Sequence, residues 1–109
     1  MTDLFTPETG AARLDVDTSS DRVALPKAVN PTAGTTVRVF VEGTDTVFVN
    51  FGTVAVTATI GADKAVGTGI PCAGGRETGF RLKDGSATYI AAITAAGTST
   101  IYVTMGDGI

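Results

Sequence analysis

The chain has 109 residues, enough for one domain with a real core, with 43% apolar residues, 14 glycines and no histidine. A net charge of −3 argues against wrapping nucleic acid, which needs clustered Lys and Arg, and the lack of His removes the commonest general base and zinc ligand. One cysteine, Cys72, rules out an internal disulfide.

The charge is uneven. Residues 1–21 hold Asp3, Glu8, Asp15, Asp17 and Asp21 against Arg13 alone, while the rest carries seven basic and six acidic residues. Residues 1–20 read as an extended arm, broken at Thr6-Pro7-Glu8 and Thr18-Ser19-Ser20, with Ala12, Leu14 and Val16 alternating as a possible short strand. Leu4 and Phe5 are the apolar pair with which such an arm would anchor on a partner or a neighbouring subunit. No basic region leads into an apolar stretch, so no secretory signal is expected, and no run approaches a membrane span.

Residues 21–109 read as the folded body. Arg22–Leu25 predicts a strand stopped by Pro26, and Asn30-Pro31-Thr32-Ala33-Gly34 is a turn. TTVRVFVEG and TVFVNFG then alternate around Gly43-Thr44-Asp45. A three-residue loop would pair Val41 with Val47, Val39 with Val49 and Val37 with Phe51 in one hairpin, all on one face. Phe40 and Phe48 would then oppose each other on the outer face, a sticky patch if exposed. Val54–Thr59 predicts a further strand, residues 61–76 a long Gly-rich connection suited to specific contacts, and Thr78–Lys83 another short strand. Tyr89–Ile93 and Thr100–Met105 predict a last hairpin turning at Ala95-Ala96-Gly97, apolar on both faces and so of open register. Seven or eight short antiparallel strands without a convincing helix predict an all-β fold, a β-sandwich of jelly-roll type.

Little of the sequence points to chemistry. Asp15, Asp17 and Asp21 alternate like the start of a calcium loop, but Ser20 stands where that loop needs Gly and Pro26 where it needs Glu. Gly67-Thr68-Gly69-Ile70-Pro71 lacks the third glycine and the helix of a phosphate loop. Cys72 has no His to activate it. Arg76, Arg81 and Lys83 form a basic group whose ordinary role is a solvated edge, and which would also suit the acidic arm of a neighbouring copy. No catalytic residue, metal site or cofactor is expected.

Arg22–Pro26, Val37–Val39, Phe48–Gly52, Val56–Thr59, Ile70–Gly75, Tyr89–Ile93 and Ile101–Gly108 follow one another as Arg-Val-Ala-Leu-Pro, Val-Arg-Val, Phe-Val-Asn-Phe-Gly, Val-Thr-Ala-Thr, Ile-Pro-x-x-Gly-Gly, Tyr-Ile-Ala-Ala-Ile and Ile-Tyr-Val-Thr-x-Gly-x-Gly. Over residues 20–108 this order resembles small β-rich virion proteins of tailed bacteriophages. The acidic arm and the 61–69 loop lie outside the pattern. The resemblance implies a non-enzymatic decoration (cement) protein on the outer capsid surface, made in the host cytoplasm. It would bind the major capsid protein across capsomer junctions as a homotrimer, with no nucleic-acid or membrane partner. A head-to-tail connector or tail-associated ring protein is the alternative within the virion. A carbohydrate- or receptor-binding module is the alternative outside it, although that reading wants exposed aromatic platforms in loops.

Overall fold

The computed structural model describes residues 6–7, 10–26, 36–82 and 87–107, with side chains for 10–26, 36–82 and 87–106. Leu4, Phe5, Lys83 and the turn at Asn30–Gly34 lie outside the described residues. Those described form nine strands and no helix: β1 (Thr6–Pro7), β2 (Ala12–Val16), β3 (Asp21–Ala24), β4 (Thr36–Glu42), β5 (Val47–Gly52), β6 (Ile70–Cys72), β7 (Glu77–Arg81), β8 (Tyr89–Thr94) and β9 (Ser99–Asp107).

Their pairing is that of one antiparallel ribbon folded over itself. β2 pairs with β9, β3 with β8, β4 with β7 and β5 with β6, so the first half of the chain runs out and the second half returns beside it. Wrapping the ribbon adds the pairs β4–β9 and β5–β8 and gives two sheets. Sheet A runs β2–β9–β4–β7, with β1 also on β9; sheet B runs β3–β8–β5–β6. This is a jelly-roll sandwich.

Period-two patterning fills the interior. Val37, Val39 and Val41 of β4 meet Ile101, Val103 and Met105 of β9 on the inner side of sheet A; Val47 and Val49 of β5, with Ile90 and Ala92 of β8, face them from sheet B. All are essentially solvent-free, and each buried Val or Ile is worth about 1.5–3 kcal/mol. Phe51 and Phe80 meet edge-on at 5.1 Å and add to this core from β5 and β7.

Three sequence expectations change. Neither predicted hairpin exists as a pair: β4 and β5 lie in opposite sheets, as do β8 and β9. Inward-facing valines satisfy a facing arrangement across the core as well as an adjacent one, so alternation alone could not separate the two. The chain crosses between sheets at Gly43 (φ +104°) and Gly97 (φ +72°), backbone conformations that other residues rarely adopt. Val54–Thr59 is not a strand, whereas β6 falls inside the expected 61–76 connection. Finally, the boundary at residue 20 cuts through the sandwich. β2 is a full ladder partner of β9, with Leu14 and Val16 in the core, so an arm can comprise only residues before Ala12.

Candidate interaction surfaces

The two outer faces are treated differently by the chain. On sheet B, Phe48, Ile93, Ala91 and Tyr89 point outward, which explains why β8 looked apolar on both sides. Residues 53–69 fold over this face. Asn50 Nδ2 donates to the Thr57 carbonyl at 3.0 Å, and Ala58 N donates to Ser20 Oγ at 2.9 Å. Ala58 and Ala91 are buried as a result.

Within this cover, residues 59–69 form a closed loop. Thr59 N donates to Thr68 Oγ1 at 3.0 Å and Thr68 N donates to Thr59 Oγ1 at 2.9 Å, while Gly69 N donates to Thr59 O at 2.8 Å. Beyond this clamp the backbones at Gly61 and Gly67 approach so closely that a side chain on either would strike main chain. The tip turns through Ala62–Ala65, closed by Ala65 N to Ala62 O at 2.9 Å, with Lys64 at φ +63°. Val66 then stands 99% exposed. Val54 and Ile60 of this cover are also exposed, as is Ile70 at the edge of sheet B.

Sheet A has no such cover among the described residues. Its register places Arg13, Tyr102, Phe40 and Glu77 in one outward row across β2, β9, β4 and β7. Phe40 remains 39% exposed beside Tyr102. The next row holds Thr104, Arg38 and Gly79, and Arg38 Nη1 pairs with Glu77 Oε1 at 2.7 Å. A hollow of about 350 Å³ opens here, lined by Thr36, Arg38, Glu77, Gly79, Phe80 and Arg81. At the other end of the strands a second hollow of about 480 Å³ is acidic, lined by Asp15, Asp17 and Glu42 with their neighbours.

The residues singled out in the sequence do not converge. Phe40 and Phe48 lie on opposite faces of the molecule: Phe40 faces Tyr102 and Glu77, whereas Phe48 faces Ile93 and Pro71. Arg76 and Arg81 flank β7 at its two ends, so the described part of the basic group is no cluster; Arg81 instead joins Arg38 at the first hollow. The three alternating aspartates are dispersed. Asp15 accepts from Arg13 and Thr100, Asp17 from the Ser19 amide and Asp21 from the Arg22 amide. No group of three His, Cys, Asp or Glu side chains comes together among the described residues.

Two features escaped sequence reading: the displayed Val66 and Gly79, uncovered among the described residues. The available signals were a single large apolar residue between Ala65 and Gly67, and a glycine inside a strand.

Cys72 is fully buried on β6, opposite Val47. Burial pushes its thiol pKa up, partly offset by a hydrogen bond involving Thr78. A thiol that is both shielded and protonated is a poor nucleophile. Iodoacetamide is therefore expected to leave Cys72 unmodified in the native protein and to alkylate it fully in denaturant; fast native labelling would show that β6 opens.

No protein-family model and no curated protein matches the sequence. Among solved structures, a chain of the Bacillus endospore appendages, described as a novel family of disulfide-linked pili, matches with a TM-score of 0.53. The match covers 100% of this chain and 92% of that one at 17% identity, a likeness of fold.

Proposed function

We propose that this chain is a non-enzymatic structural subunit of a virion, a decoration protein that binds the major capsid protein and reinforces the mature head. The observation that carries this reading is the two-sided display of large apolar side chains. Phe40 is exposed on sheet A, Val54, Ile60 and Val66 are exposed on the cover over sheet B, and Ile70 is exposed at the sheet B edge. An isolated domain gains nothing from apolar surface on both sides, whereas a subunit seated among neighbours needs at least two contact areas. The resemblance of residues 20–108 to small virion proteins of tailed phages supplies the setting.

The sandwich is suited to that task. Its inner faces are packed, and the connection at residues 53–69 is pinned to the sheet beneath it. Load across a capsomer seam would meet a unit with little slack.

The likeness to a pilus protein favours a second reading, a subunit of a fibre. That pilus is described as disulfide-linked; here the single cysteine of the sequence is buried, so a fibre of this chain would be held by non-covalent contacts.

Copy number separates these roles. Quantitative mass spectrometry of purified virions is expected to find this chain near parity with the major capsid protein. A handful of copies would move it to the neck or tail. Its absence from particles would sink the virion reading and leave the fibre.

A further inference from the structure

Every strand ladder among the described residues joins a strand that precedes the 59–69 loop to one that follows it. β1 and β2 pair with β9, β3 with β8, β4 with β7 and β9, and β5 with β6 and β8. Bonds outside the ladders run the same way. Leu25 N donates to the Thr88 carbonyl, Thr88 N to that of Gly52, Thr94 N to that of Asp17 and Gly75 N to that of Val41, at 2.8 to 2.9 Å. In the core, the Phe51 ring of β5 meets the Phe80 ring of β7. The strands β1–β5 and β6–β9 are thus two interleaved halves, and neither half contains a ladder of its own.

The chain passes from one half to the other through the tip of the 59–69 loop. Residues 62–66 are all exposed, and the backbone bond within them is their own turn, Ala65 N to Ala62 O. The Thr59–Thr68 clamp and the Gly69 to Thr59 bond lie below the tip, so both sides of a break there stay anchored. Lys64 stands at the middle of the tip. The other basic residues described are tied into the sheets: Arg13, Arg22, Arg38 and Arg81 lie within strands, and the Arg76 carbonyl accepts from Val41 N at 3.0 Å.

We propose that the Lys64–Ala65 bond is a cleavage site for a lysine-specific endopeptidase, and that the cut chain persists as one sandwich of two polypeptides. Hydrolysis adds water across the bond, leaving a carboxylate on Lys64 and an amine on Ala65, and touches no ladder. Exposed tips of small and polar residues are where proteases nick folded proteins first, because they open locally while the rest stays closed. A cut subunit keeps both outer faces, so it would stay seated among its neighbours in a head or in a fibre. The inference therefore does not rest on the decoration reading.

The test uses the full chain carrying Lys27→Arg and Lys83→Arg, which leaves Lys64 as its one lysine. Under native conditions a lysine-specific endopeptidase is expected to convert it completely to fragments 1–64 and 65–109, read by intact mass. Adding Lys64→Asn, a residue that also accepts the positive φ, should abolish the cut. The cut protein is expected to elute with the uncut one in size exclusion, to keep its circular dichroism and to separate only in urea. Its urea midpoint should rise with protein concentration, since unfolding now parts two molecules. Wild type digested alongside and mapped by mass reads the same bond with the native lysines in place. A Lys64 that resists while the denatured chain is fully cut would overturn the site. Fragments that part or unfold without urea, or a midpoint that ignores concentration, would overturn the two-part sandwich.

Discussion

Removing residues 2–20 is expected to leave a chain that does not fold, whereas removing residues 2–10 is expected to preserve a cooperative unfolding transition. The difference is β2. All five of its residues pair with β9, from Ala12 opposite Val103 to Val16 opposite Ser99. Leu14 and Val16 are 7% and 1% exposed, and their loss alone removes about 3–6 kcal/mol of burial, against a total stability of about 5–15 kcal/mol for a typical domain. Further contacts go with them. The Asp17 carbonyl accepts from Thr94 N at 2.9 Å, and Ser20 Oγ accepts from the Ala58 amide, tying β8 and the loop cover to this segment. Without β2, Ile101 and Val103 would line an open edge, which also invites aggregation. Urea titration followed by circular dichroism reads both deletions. A cooperative transition in the 2–20 deletion would show that the sandwich closes without β2 and would restore the arm as far as residue 20.

Why β2 was hard to see follows from its composition. Ala12, Leu14 and Val16 do alternate, but Arg13 and Asp15 between them and the acidic surroundings match a solvated segment equally well. Its assignment depends on β9, more than eighty residues away, and local pattern carries no record of such a partner. The inward faces of β4 and β5 were legible because a side-chain period of two fixes which residues share a face. Which strand lies next to which was not, since the same valines serve a hairpin or two facing sheets. Gly43 and Gly97 mark the crossings, but glycine also suits an ordinary hairpin turn. The VAVTAT run misled for a related reason. Only Ala58 is buried against sheet B and Val56 half-buried, while Val54, Thr57 and Thr59 stay exposed, so an alternating run lies on the sheet as a loop instead of joining it. That Phe40 and Phe48 point outward was legible from the same period of two. Val66 stands out only once the closed loop neck is seen.

Gly67→Ala is expected to lower stability by about 1–3 kcal/mol, a loss that Val66→Asp should not show. At Gly67 an added methyl would strike the backbone of Gly61 and the Thr59 carbonyl, and neither is a flexible side chain that can swing aside. The neck must widen, and widening strains the reciprocal Thr59–Thr68 hydrogen bonds and the Gly69 to Thr59 bond beside them. Gly69 lies directly over Phe48, so movement there loosens the cover on sheet B and admits water toward Ala58 and Ala91. Val66, by contrast, touches almost nothing in its own chain; changing it should move stability by no more than about 0.5 kcal/mol. Urea midpoints measured on the two variants separate a neck that holds the loop from a tip that bears no load. If Gly67→Ala unfolds at the wild-type midpoint, the neck is slack, and the 59–69 loop adds nothing to the stability of the sheet beneath it.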